Sequence, residues 1–136
     1  MTQPRVVFDT NVLLSAVGWN GNPLRCLLLA RAGTIQGLTC AEILDEVYEK
    51  AIEKLGRSPA EAFAILDELR EFLQMVTITG ALQGVALHPS DDKVIECALV
   101  GNATYIVTGD RKHLLPIRSF RGIQIVSPTE LLEQLV

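Results

Sequence analysis

Two hydrophobic runs in this chain each end in an acid. Val6-Val7-Phe8 leads into Asp9, and Tyr105-Ile106-Val107 leads through Thr108-Gly109 into Asp110. Short apolar runs rich in β-branched residues read as buried strands. The carboxyl ends of parallel strands are where open α/β sheets bind ligands. Further candidate acids fall where helices are expected: Glu46, Asp91 and Asp92, with Glu42, Asp45 and Glu96 in reserve. Carboxylates gathered in one place repel and raise one another's pKa values, so a hard divalent cation is the physical reason to hold them together. Mg2+ or Mn2+ suits oxygen donors and keeps bound water that can attack a phosphodiester. Two such ions about 4 Å apart can hold the attacking and leaving oxygens. Metal-assisted hydrolysis is the chemistry these residue types point to.

Each acid also has an ordinary structural explanation. Aspartate is common in the turn after a strand, and Asp91 and Asp92 in a helix's first turn are favoured by the helix dipole. Glu42 is the fourth residue of Thr39-Cys40-Ala41-Glu42, a capping-box pattern that assigns it to structure. Glu46, one turn further, has no such local duty. Glu96 reads as a surface residue facing Lys93 or Asp92. The number of acids whose expected positions converge favours a site over any one of them.

Strands and helices alternate along the chain, predicting a parallel sheet with helices on both faces. After the first strand, Leu13–Gly18 leads to a turn-rich loop at Trp19-Asn20-Gly21-Asn22. Asn22 caps a helix from Pro23 to about Ala32, with Leu24, Leu27, Leu28 and Ala32 inward and Gly33 as its stop. Gln36-Gly37-Leu38 is a candidate second strand. The Thr39 box opens a helix with Ile43, Leu44, Val47, Tyr48, Ala51 and Leu55 on its apolar face, ended by Gly56. Ser58-Pro59-Ala60-Glu61 opens the next, carrying Phe63, Leu66, Leu69, Phe72 and Leu73 inward, so the two form a helical hairpin.

Met75–Thr79 alternates like a strand, and Gly80–Pro89 reads as loop with a turn of helix near Ala81-Leu82. A helix from Ser90-Asp91-Asp92-Lys93 carries Val94, Ile95, Ala98 and Leu99 to Gly101. The Asp110 strand, a basic irregular stretch Arg111–Pro116, the strand Ile123–Val126 and a terminal helix opened by Ser127-Pro128-Thr129-Glu130 complete the chain.

Composition narrows the class. In 136 residues, 49% hydrophobic and 21% charged, there is enough apolar material for one folded domain, and disorder is excluded. The net charge of −4 gives no general attraction to nucleic acid or to an anionic membrane. A polyanionic substrate would therefore need metal ions and local basic groups, for which Arg111, Lys112 and His113, with Arg118 and Arg121, are candidates. Trp19 is read as a packing residue, with base stacking or a subunit interface as alternatives. Cys26, Cys40 and Cys97 share no ligand-like spacing and read as buried reduced thiols. No run reaches membrane-spanning length and no signal peptide precedes the first strand, so a soluble cytoplasmic protein is expected.

The residues also resemble a known family. VVFDTNVLLSA, DDKVIECALVGNATYIVTGD and IVSPTELL, in that order, look like the PIN domain, and more narrowly the VapC-like toxins of bacterial and archaeal toxin–antitoxin pairs. The resemblance implies a single three-layer α/β/α sandwich over residues 1–136 with a five-stranded parallel sheet. It implies a Mg2+- or Mn2+-dependent endoribonuclease that forms homodimers and is held inactive by a small antitoxin. Matched residue by residue, Asp9, Glu46, Asp91 and Asp110 are its catalytic, metal-holding acids. Asn11 and Thr108 support them, and Asp92 is the close neighbour of Asp91. Where relatives carry further acids, this chain has His88-Pro89-Ser90. Two other classes remain: a PIN-like binding module without catalysis, and a phospho-accepting receiver domain. The receiver reading lacks an acid beside Asp9 and a lysine after Ile123–Val126.

Overall fold

The computed structural model describes residues 3–86 and 89–135; His88 lies outside them. The chain runs β1 (Arg5–Phe8), α1 (Thr10–Gly18), α2 (Asn22–Arg31), β2 (Gln36–Thr39), α3 (Ala41–Leu55), α4 (Pro59–Phe72) and β3 (Gln74–Met75). It continues with α5 (Asp92–Val100), β4 (Tyr105–Val107), β5 (Ser119–Phe120), β6 (Ile123–Val126) and α6 (Pro128–Gln134). The sheet order is β3-β2-β1-β4-β6-β5. Five strands are parallel, as expected. The sixth, β5, pairs antiparallel with β6 through Ser119–Gln124 and Phe120–Ile123. The turn joining them is Arg121-Gly122, both at positive φ (49° and 85°), as a two-residue hairpin requires. Arginine is a poor sequence signal for that conformation, which is why β5 is not legible in advance.

The sheet is built outward from β1 in both directions, so the order of addition reverses between β1 and β4. Val6, Val7, Phe8, Ile106 and Val107 are fully buried there, and strands covered on both faces read as continuous apolar runs. Neighbouring residues of β2 show the two covering layers. A Cβ on Gly37 would lie 3.1 Å from Ala30 Cβ of α2, while Leu38 Cδ1 lies against Gly101, which ends α5. Successive strand residues face opposite ways, so α2 and α5 sandwich the sheet. Both contacts need glycine because helix and strand approach closely.

Several local expectations are corrected. α1 begins at Thr10, directly after Asp9, so the acid is its N-cap and stands on a strand-to-helix turn. Asn22 is the first residue of α2 rather than its cap, and its amide donates to Thr129 Oγ1 of α6 at 2.8 Å. The buried stripe of α2 is Cys26, Leu27 and Ala30, whereas Leu28 is exposed. Thr39 belongs to β2, where its carbonyl accepts from Val76 N at 2.7 Å. Cys40 therefore caps α3, and the Thr39 hydroxyl is buried without a partner.

The boxes at Ser58/Glu61 and Ser127/Glu130 both form. On α4, Ala62, Leu66 and Leu69 are buried and Phe63 is exposed. The strand expected over Met75–Thr79 shrinks to Gln74–Met75, and no helical turn forms at Ala81-Leu82. Trp19 is exposed (62%) rather than packed. All three cysteines are free and buried. Among the described residues no helix is long and apolar enough to cross a membrane.

Candidate active site

Asp9 and Asp110 lie beyond the carboxyl ends of adjacent parallel strands, at the reversal of strand order. Asp9 N continues the β1–β4 ladder to Val107 O (2.9 Å), and Asp9 O accepts from Val12 and Leu13 N to start α1. The Asp9 side chain is 4% exposed, and Thr108 Oγ1 donates to its Oδ2 at 2.6 Å. The same hydroxyl accepts from Asp110 N at 3.0 Å, so one threonine ties the two acids together. Burial pushes the Asp9 carboxyl above its ordinary pKa despite the Thr108 bond, and the charges of Glu46 and Asp110 push it further.

Glu46 reaches this pocket from α3. Its Oε1 accepts from Thr10 Oγ1 at 2.6 Å and lies 3.2 Å from Lys93 Nζ, while Lys50 Nζ is 3.8 Å from Oε2. Burial alone would raise its pKa. The Thr10 hydroxyl and the two ammonium groups outweigh that, so Glu46 stays an anion below the usual range. Lys93 is itself tied to Ser90 O at 2.7 Å. Asp91 closes a 3-10 turn at Pro89–Asp91, and its carboxylate, that of Asp110 and the His113 ring offer donor atoms all within 4.8 Å of one another.

Asp110 Oδ1 accepts from Lys112 N and His113 N, both at 3.0 Å, and Oδ2 lies 3.2 Å from His113 Nδ1. Partial burial opposes its ionisation. These donors prevail and hold the carboxyl below its ordinary pKa.

Of the residues singled out from sequence, Asp9, Glu46, Asp91, Asp110 and Thr108 therefore gather at one end of the sheet. Two do not join them as expected. Asn11 is exposed on α1, and no hydrogen bond links its side chain to Asp9; it lines a neighbouring cleft with Ser15, Asp110, Arg111 and His113. Asp92 is turned into the preceding loop, where its carboxylate accepts from Gly84 N (2.9 Å), Val85 N (3.1 Å) and Ala86 N (2.7 Å). With both oxygens taken up by backbone N–H groups, it holds the loop rather than a ligand beside Asp91.

Glu96, expected on the surface, is 6% exposed and accepts from Thr79, Gly80 and Leu82 N. Of the other basic candidates, Arg118 pairs with Glu130 and Arg121 stacks on Phe120.

Two residues of the site, Thr10 and Lys93, and the pairing of His113 with Asp110 escape a reading of sequence. Only the last carries a signal. An aspartate that accepts from the N–H groups two and three residues on folds the chain back and returns the third side chain to the carboxylate.

The donor set fits a hard divalent cation. Asp9 is a buried carboxylate that its surroundings discourage from ionising, beside two acids that remain anions. A cation would relieve that conflict more directly than any further hydrogen bond.

A sequence profile of the PIN domain matches residues 5–112 of the chain. No curated protein matches it. Among solved structures it is similar to VapBC2 from Rickettsia felis, crystallised bound to a DNA fragment from its promoter. That likeness has a TM-score of 0.62 and 15% sequence identity, over 89% of this chain and 96% of the other. At that identity it is a likeness of fold. The profile covers most of the chain, including all the gathered acids, and the sheet has the order and strand-end acids described above; the chain belongs to the PIN domain family.

Proposed function

We propose that this chain is a Mg2+- or Mn2+-dependent endoribonuclease, organised as one domain over residues 1–136, and the toxin of a toxin–antitoxin pair. The observation that carries the reading is the Asp9 carboxylate, buried and tied through the Thr108 hydroxyl to Asp110, with the charge of Glu46 near enough to oppose its ionisation. Asp9, Asp91 and Asp110 would hold the ion, with Glu46 at its edge. When bound, the ion would lower the pKa of a water and neutralise charge on a phosphodiester.

The chain's own groups do the positioning. Thr108 fixes Asp9 against Asp110, and Thr10 and Lys93 fix Glu46. Arg111 and Lys112 are exposed beside Asp110, on the rim where an RNA phosphate would arrive.

The partner reading rests on a second surface. Trp19 and Leu28 are exposed at a groove of α1, α2 and α4, whose lining includes Leu24, Leu27, Ile65 and Phe72. An apolar patch of this kind suits a protein partner, here a small antitoxin, with a second copy of the chain as the homodimer mate elsewhere. The toxin part of the reading follows the resemblance of the sequence to the VapC-like toxins, and the solved neighbour of like fold is VapBC2. The three buried free thiols accord with action in the cytoplasm.

The test is cleavage of a labelled single-stranded RNA with Mn2+, with Mg2+ and with EDTA, Asp9→Asn being run in parallel. We expect metal-dependent cutting that the variant loses by about a hundredfold or more. Cutting that survives in Asp9→Asn, or none by the wild type, overturns the reading.

A further inference from the structure

Within the proposed metal site, on whose reading this inference rests, we propose that His113 is itself a ligand through Nδ1. We further propose that this nitrogen biases the site toward Mn2+ over Mg2+. His113 lies one residue beyond the stretch matched by the PIN profile, so nothing in that match assigns it a role.

The geometry is that of donors around one ion. Asp91, Asp110 and His113 offer ligand atoms all within 4.8 Å of one another, and His113 Nδ1 is 3.2 Å from Asp110 Oδ2. Around an octahedral ion with bonds of about 2.1 Å, adjacent donors are about 3 Å apart and opposite ones about 4.2 Å. The separations therefore need little adjustment. The ring is also placed in advance. His113 N donates to Asp110 Oδ1, and Leu115 N closes the loop onto Asp110 O at 2.9 Å, so the backbone that carries the imidazole is anchored to the acid it would share an ion with. With 40% of the His113 side chain and 17% of Asp110 exposed, the cluster opens to solvent and leaves room for retained water.

A competing role uses the same contact. With its proton on Nδ1 the imidazole donates to Asp110 and orients it; with the proton on Nε2 the lone pair of Nδ1 is a ligand. The two roles differ in metal preference. Carboxylate and water suit Mg2+, whereas an imidazole nitrogen adds affinity for transition ions that Mg2+ gains little from.

The experiment binds Mn2+ alone to the intact protein and records electron spin echo modulation, which reports nitrogen bonded directly to the ion. Mn2+ and Mg2+ affinities are then compared in wild type and His113→Ala. We expect 14N modulation in the wild type and its loss in the variant. We also expect Mn2+ affinity to fall about tenfold or more, with a smaller fall for Mg2+. Mn2+ binding without 14N modulation overturns the proposal, as does equal weakening of both ions, which would mark His113 as an orienting group. His88→Ala, which should keep the modulation, excludes the other histidine of the chain as its source, and His113→Gln replaces His113→Ala should that variant misfold. Nitrogen coupling without RNA cleavage removes the nuclease reading and keeps this one; metal-dependent cleavage without nitrogen coupling does the reverse. Absence of Mn2+ binding removes both.

Discussion

Asp9 and the acids of α5 have opposite fates in this fold. Asp92 and Glu96 sit one turn apart on α5, both almost fully buried, and each is surrounded by N–H donors from the loop before it. Asp9 and Asp110 sit at strand ends, share one threonine hydroxyl, and face Glu46. The first pair is satisfied by the chain, and Glu96 is accordingly held below its ordinary pKa, its backbone donors outweighing burial. In the second pair Asp110 is answered by Lys112 N, His113 N and the His113 ring and is held below its ordinary pKa, whereas Asp9 has its geometry fixed and its ionisation opposed by burial. The difference separates acids that build a structure from acids that await something. Asp9 is as buried as Asp92 and Glu96, so burial alone does not distinguish it from them; the count of donors does.

The comparison can be broken most severely at Glu96. Glu96→Ala strips acceptors from three backbone N–H groups in a part-buried loop, and a loss of about 3 kcal/mol in unfolding free energy is expected. Chemical denaturation measures it. If Glu96 is only a structural anchor, the folded fraction of the variant keeps the Mn2+ affinity of the wild type.

At Asp9 the signs reverse. Asp9→Asn removes a charge that the metal-free fold opposes, so its thermal midpoint in EDTA should rise above that of the wild type. Saturating Mn2+, at about a hundred times its dissociation constant, should add about 2.7 kcal/mol to the wild type and little to the variant. A variant less stable than wild type in EDTA would show that Asp9 belongs with Asp92 and Glu96 after all.

The pH dependence follows from the same contrast. The folded pKa of Asp9 is raised, so its contribution to stability is intact below the unfolded value and is lost as pH rises through the folded one. The folded pKa of Glu96 is lowered, so its contribution is present above the unfolded value and is lost as pH falls through the depressed one. Denaturation across the acid range should therefore show a falling component on the alkaline side that Asp9→Asn removes. It should also show one on the acid side that Glu96→Gln removes.

The smallest effect is expected at the hydroxyl that joins the strand-end acids. Thr108→Val keeps the shape but deletes the bonds to Asp9 Oδ2 and Asp110 N, costing about 1 kcal/mol of stability and about tenfold in Mn2+ affinity. Thr108→Ser should restore the affinity. A Thr108→Val protein with unchanged affinity would mean that the two acids do not need a shared anchor.

Much of this arrangement was legible in the chain because it rests on local rules. The buried strands announced themselves as unbroken apolar runs, because both faces of a central parallel strand are covered. The acids that end them were visible for the same reason. The Ser58 and Ser127 boxes formed because a capping box needs only four consecutive residues and free N–H groups. The Thr39 box fits the same pattern and failed, because β2 claimed the threonine for a ladder whose partner, β3, lies more than thirty residues away.

What the sequence determined by itself is the order of elements apart from β5, the apolar strands and the acids at their ends, all set by propensity and period within a few residues. Tertiary structure alone decided which acids remain uncompensated. Asp91 and Asp92 are neighbours in sequence, yet one turns toward Asp110 and His113 and the other into the loop at Gly84–Ala86. Lys93 meets Glu46 from a different helix, and Thr10 reaches Glu46 across 36 positions of chain. The charge state of a buried carboxylate depends on every donor and charge within a few ångströms, and those come from segments whose proximity only the completed sheet creates.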